Sequence, residues 1–155
     1  MPGPFINTGA FATRASDNDA VGPKDELGVW RFEAGKILRY VKSGALIPRY
    51  EAVTVDETVS TAALLGNQVL QTGTISEMLF GVADQATFAN LSFGWVTVFG
   101  NATARVAAGT VPGAYLAASA ATGVLSGLGA SNMQVGALAL QSGLSAGSAV
   151  YITTL

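Results

Sequence analysis

The chain reads as an all-β protein, a compact β-barrel or β-sandwich of residues 27–155 preceded by an extended N-terminal arm of residues 1–26. Three observations predict it. Short runs of aromatic and β-branched residues recur from Leu27 onward. Turn pairs punctuate the second half repeatedly, at Pro112-Gly113, Ser126-Gly127, Ser142-Gly143 and Ala146-Gly147. The 155 residues are half apolar, with 19 Gly and 12% charged side chains. That composition suits one well-filled core and is too apolar for disorder.

Residues 1–26 combine Pro2, Pro4 and Pro23 with Gly3, Gly9 and Gly22, and no helical or strand period runs through them. The expectation is an arm that orders on contact, with Phe5, Ile6 and Phe11 as apolar anchors. Strands are then expected at Val29-Trp30-Arg31-Phe32 and Ile37-Leu38-Arg39-Tyr40-Val41, joined by a short loop in which Gly35 takes positive φ. Ala52-Val53-Thr54-Val55 is a third strand. Residues 57–66 are ambiguous: Asp56 can cap a short helix stopped by Gly66-Asn67, or the stretch is a loop.

The strongest local signal is Phe93-Gly94-Trp95-Val96-Thr97-Val98-Phe99, then Gly100-Asn101, then Ala102-Thr103-Ala104-Arg105-Val106. It predicts a hairpin with a two-residue turn at Gly100-Asn101. Further strands are expected near residues 114–117, 124–125, 135–140 and 149–153. Trp30, Tyr40, Phe93, Trp95 and Phe99 are the candidate core aromatics, each read as packing rather than as a stacking platform for sugars or bases.

Chemistry is constrained by omission. Cys and His are both absent. This removes disulfides, thiolate nucleophiles, Ser–His and Cys–His arrangements and Cys/His zinc sites. No pair of acids has a spacing that implies a shared site. Gly127-Leu128-Gly129 lacks the third glycine and the strand–helix setting of a phosphate loop. No catalytic residue, cofactor or metal is expected. The net charge of −2 gives no bias toward nucleic acid. No apolar run is long enough for a membrane helix. The N-terminus lacks the basic and apolar regions of a secretory signal.

Charge is unevenly placed. Every Lys and Arg except Arg105 lies between Arg14 and Arg49, and no acid follows Asp84. Residues 85–155 therefore carry one charged side chain. Two readings stand: a surface coated with Thr, Ser and Asn, or a surface covered by other copies or by a larger assembly. Arg31, Lys36, Arg39, Lys42 and Arg49 form one locally basic stretch. Its residues are either strand-edge charges that discourage stray pairing or a dock for an acidic partner. Phe5, Ile6, Phe11, Arg31, Arg39, Lys42 and Arg49 are the candidate contacts with a larger assembly or a neighbouring subunit.

Arg39-Tyr40-Val41-Lys42 with Gly44 and Ile47, then Gly81-Val82-Ala83, the run 93–106, Gly113, Gly123, Gly136-Ala137-Leu138-Ala139 and Val150-Tyr151-Ile152 together resemble tailed-bacteriophage capsid decoration (cement) and head structural proteins. The resemblance covers residues 27–155. It implies a non-catalytic, all-β virion protein on the capsid surface, assembled in the host cytoplasm. Its implied partners are the major capsid protein and neighbouring copies of itself, as a homo-oligomer such as a trimer. A tail or fibre component, and a soluble β-barrel binding module for a sugar or small ligand, are the alternatives.

Overall fold

A computed structural model describes residues 11–74, 77–128, 135–143 and 147–154. It shows an all-β fold whose strands belong to one large mixed sheet. The strands are β1 (Asn18–Asp19), β2 (Trp30–Glu33), β3 (Lys36–Ser43), β4 (Ala52–Val55), β5 (Gln68–Gln71), β6 (Gly81–Val82), β7 (Phe93–Ala104), β8 (Tyr115–Ala118), β9 (Leu125–Gly127), β10 (Ala137–Ala139) and β11 (Ser148–Thr153).

β2 and β3 form the expected hairpin, pairing Trp30 with Arg39 and Glu33 with Lys36. Gly35 sits at φ +76° in its turn, and Ala34 beside it at +50°. Two positive φ angles in succession match the right-handed twist of the flanking strands. The helix considered for residues 57–66 is absent; the stretch is a series of turns leading into β5.

The expected hairpin at Gly100-Asn101 is corrected. Residues 93–104 are one continuous strand of 12 residues. Its two β-prone runs continue each other because each has its own partner to pair with. β3 pairs along residues 93–100 and β11 along residues 99–104. Both pair with Phe99 and Gly100, so they hold opposite edges of β7. Gly100 has φ +93°, and a Cβ there would collide with the Gly35 carbonyl oxygen. The glycine thus serves a close approach of two backbones within a strand. A register shift falls between Ile37 and Leu38, which pair with Phe99 and Thr97. That leaves Val98 as the extra, bulged residue.

Pairings run β3–β5–β4–β6–β7 and return from β7 to β3. The β3–β5 pair is parallel, and the others in this cycle are antiparallel. Val41, Val53, Val69, Val96 and Val98, with Ile47, Ala83 and Phe88, form one apolar cluster drawn from these strands and their flanks. A second series runs β7–β11–β10–β8–β9. It returns to the end of β7 through a parallel bridge between Val106 and Leu125. A separate cluster fills it, including Ala102, Ala104, Leu116, Leu125, Ala137, Val150 and Ile152. Alternate residues of β10 and β11 point into this cluster, as the two-residue period requires.

From Phe11 onward, the segment expected as an arm is held by the body. Its β1 pairs Asn18 with Gly94 and Asp19 with Phe93. Phe11 meets Trp95 edge to face at 5.1 Å. The Trp95 Nε1 donates to Thr13 Oγ1 at 2.9 Å, and the Thr13 hydroxyl donates to Asp25. The Asp25 carboxylate also accepts from the amides of Ala12 and Thr13, at 3.0 and 3.1 Å. One carboxylate therefore ties the segment into a loop over Trp95, Tyr40 and Leu38. The linking groups are polar and 12 to 13 positions apart, which is why no periodicity announces them. Phe5 and Ile6 lie outside the described residues.

Of the candidate core aromatics, Trp95 and Tyr40 are buried, at 1% and 0% exposure. Trp30, Phe93 and Phe99 are only half-buried. They lie where the sheet meets solvent, beside Arg39, Lys42 and Tyr151 respectively.

Two outcomes are expected. Trp95→Ala should lower stability in urea unfolding by about 3–5 kcal/mol, the range for truncating a buried aromatic, and deleting residues 2–22 should lower the melting temperature rather than leave it unchanged, because it uncovers Trp95. Gly100→Val should lower stability by roughly 2 kcal/mol or more, from positive φ and collision with the Gly35 carbonyl; denaturant midpoints would measure it.

Candidate functional site

The basic stretch does not form one patch. Arg31 donates to the Thr13 carbonyl at 2.9 Å and pairs with Glu33 at 2.7 Å. Its guanidinium lies 5.2 Å from the Phe11 ring centre. The Lys36 ammonium is 2.6 Å from Asp84. Arg39 lies between the Trp30 and Phe80 rings, at 5.8 and 5.2 Å, and donates to Asn67 Oδ1 at 2.9 Å. Burial without a carboxylate partner among the described residues pushes its basicity down. Its Nε has no partner there. Lys42 lies against Phe93 at 5.8 Å. Arg49 is exposed, lies 4.6 Å from the Tyr50 ring centre and donates to the Asp84 carbonyl at 2.9 Å. Arg31 is thus paired with the exposed Glu33, and Lys36 with the buried Asp84. Among the described residues, Lys42 and Arg49 are the two of this stretch that pair with no carboxylate and whose side chains edge toward solvent.

The buried carboxylates are committed too. Asp84 accepts from Lys36, from the Thr97 hydroxyl at 2.5 Å and from Gln85 at 3.0 Å. Glu51 accepts from Gln71 and Arg105. Asp56 accepts from the Thr58 hydroxyl at 2.6 Å and from Gln68 at 2.8 Å. The Thr58 hydrogen bond holds Asp56 below the usual carboxylate range, against the opposing effect of burial. Among the described residues no three acids gather as a metal site. No described helix is long and apolar enough to cross a membrane.

Arg105 matters most for the surface. It is the single charged side chain of residues 85–155, and it pairs with Glu51, whose side chain is 3% exposed. The Arg105 side chain is itself 39% exposed and follows Asn101 and Thr103 on the outward side of the strand, so that side of the second series is poor in charge but not free of it. Leu138 faces Tyr115 on β8 and Tyr151 on β11, and Tyr151 faces Asn101 on β7. Directly opposed residues share a face, and their chain neighbours Leu116, Ala137, Ala139, Val150, Ile152 and Ala102 fill the core on the other side. Phe99 meets Tyr151 at 5.5 Å and, with Phe32 and Ile37, lines a depression of about 370 Å³.

Comparison with protein-family models, curated proteins and solved structures finds no match.

Sequence reasoning located the charge-poor half but not the Glu51–Arg105 or Lys36–Asp84 pairs, whose members lie 54 and 48 positions apart. No local signal reports such a pairing. The nearest hint is a lone acid inside a β-prone stretch, as Glu51 and Asp84 both are.

Lys36→Met should cost about 3 kcal/mol by stranding the buried Asp84 carboxylate, and a further Asp84→Leu change should recover much of that loss; urea unfolding of the two variants reads it. Asp56 has a lowered folded pKa, so its contribution is present above its ordinary value of 3.8 and lost as pH falls through the folded value. Melting curves from neutral pH down into that acid range should show wild type losing its advantage over Asp56→Asn.

Proposed function

We propose that the chain is a non-catalytic virion structural protein, a capsid decoration or cement protein that binds the major capsid protein lattice and neighbouring copies on the capsid surface. The observation that carries this reading is the charge-poor outer face of β7, β11, β10 and β8. Its half of the sequence has one charged side chain, Arg105, and that one is paired with the buried Glu51. A protein that works free in solution at high concentration is better protected by a charged surface. The resemblance of residues 27–155 to phage head proteins supports the same reading. So does the internal commitment of the buried carboxylates, which leaves them without a reacting role.

Within this reading the two cycles of pairing are two small barrels sharing β7. Closure suits a lattice protein, because a closed sheet offers few free edges for disordered aggregation. Lys42 and Arg49 are the contacts best placed to meet an acidic capsid surface, with Arg31, Arg39 and Phe11 supporting them from within the body. A tail or fibre position is the competing placement.

Purified particles of the source virus should contain the chain at high copy number, in a fixed ratio to the major capsid protein. An image reconstruction should place it on the head exterior. Particles that lack it, or carry it only in the tail, would overturn the capsid reading.

A further inference from the structure

We propose that Leu46 and Leu91, on two loops clamped side by side next to Lys42 and Arg49, are the apolar points through which the chain docks on an acidic protein surface of the head. The inference rests on the virion reading and deepens it by naming the part of the chain that meets the lattice.

The loops 44–46 and 89–91 are tied together at both ends. At one end the Ser43 amide donates to the Ser92 carbonyl at 2.8 Å, and the Ser43 hydroxyl donates to the Ala89 carbonyl at 2.7 Å. At the other, Ile47 and Phe88 exchange two backbone hydrogen bonds of 3.0 and 2.8 Å. Ser43, Ser92, Ile47 and Phe88 are all buried, so both loops spring from the core. What the loops present outward is nevertheless apolar: Leu46 is 57% exposed and Leu91 51%. Neither joins an apolar cluster among the described residues.

Leu91 is also strained. It has φ +59° at the third position of the turn 89–92, which the Ser92 amide closes on the Ala89 carbonyl. Glycine suits that position, and a larger side chain there costs stability. The other two described non-glycine residues of positive φ have internal reasons. Ala34 shares the β2–β3 turn with Gly35, and Tyr50 is held on both sides, its amide donating to Ala83 and its carbonyl accepting from Arg105. No comparable contact offsets the strain at Leu91 among the described residues. An outward Leu on a firmly anchored turn is suited instead to fill an apolar recess on a partner. Charge selects that partner. Lys42 pairs in register with Phe93 just past the second loop, and Arg49 follows Ile47 by two residues, so the two cations flank the clamp. Neither pairs with a carboxylate among the described residues. Asp19 and its neighbour Asp17 sit on the opposite edge of β7 from Lys42 and are engaged, Asp19 by Lys24 and Asp17 by the Arg14 amide. The complementary surface therefore carries carboxylates around an apolar recess.

The test is attachment of the purified full chain to heads of the source virus prepared without it, measured as occupancy against chain concentration, with melting temperature read in parallel. Leu91→Gly should raise the melting temperature by about 2–4 °C, because it relieves the turn, and yet weaken attachment by about tenfold or more. A turn with a merely structural role cannot give those opposite signs. Leu46→Ser should weaken attachment with little change in melting. Val111→Ser, at an exposed position outside these loops, should leave attachment unchanged. Wild-type attachment should weaken with added salt, and changing Lys42→Gln together with Arg49→Gln should remove much of that dependence. Leu91→Gly melting below wild type, attachment indifferent to salt, or an equal loss in Val111→Ser would each overturn the proposal. Heads that take up wild type and Leu91→Gly alike sink the docking role alone, whereas heads that take up no wild-type chain sink the capsid reading and this inference with it.

Discussion

Everything in this fold hangs on one strand serving two cores. β7 pairs with β3 over its first part and β11 over its second, and its side chains enter both apolar clusters: Val96 and Val98 the first, Ala102 and Ala104 the second. Neither cluster can loosen without disturbing the strand that the other needs. The chain therefore gains cooperativity between halves that would otherwise be separate small domains, each marginal alone. Gly100 is the condition for this, since the backbone of Gly35 lies where a side chain would go.

Polar groups complete what the apolar clusters begin. Lys36 of β3 reaches Asp84 just beyond β6, and Asp84 in turn accepts from Thr97 of β7. This joins three strands of the first cycle at a point where backbone pairing is sparse, since β6 and β7 share a single registered pair. Glu51 and Arg105 link the start of β4 to the end of β7 in the same manner. Thr13 and Asp25 fasten the N-terminal segment over Trp95. Each network satisfies a buried charge or hydroxyl that would otherwise be costly.

Strand identity was legible wherever a run carried its own alternation. β2, β3, β4, β8 and β11 fall on the aromatic or β-branched stretches that predict them, and Gly35 takes the positive φ its loop requires. Continuity was not legible. Gly100-Asn101 has the spelling of a hairpin turn, but local chemistry states only what a backbone can do. Partners on both edges decided what it does. β5 and β1 escaped for a related reason: Gln68–Gln71 offers only Val69 and Leu70 between two glutamines, Asn18–Asp19 is polar, and both are made into strands by their neighbours. The same limit applies to the surface. Counting charges revealed a charge-poor half, yet that Arg105 pairs with Glu51, and that Tyr115, Leu138 and Tyr151 align, follows from pairings between distant residues.

The shared strand also governs the order of events during synthesis. The first cycle cannot close until Phe93–Ala104 has emerged, because β3 and β6 both wait for it. Until then β3 and β5 have only a short parallel pairing of two registered positions between them. Contacts of such long sequence separation form late and slowly. Once β7 docks, it becomes a template on which β11 completes the second cycle. During synthesis the edge of β7 that β11 will cover therefore emerges about forty residues before its partner.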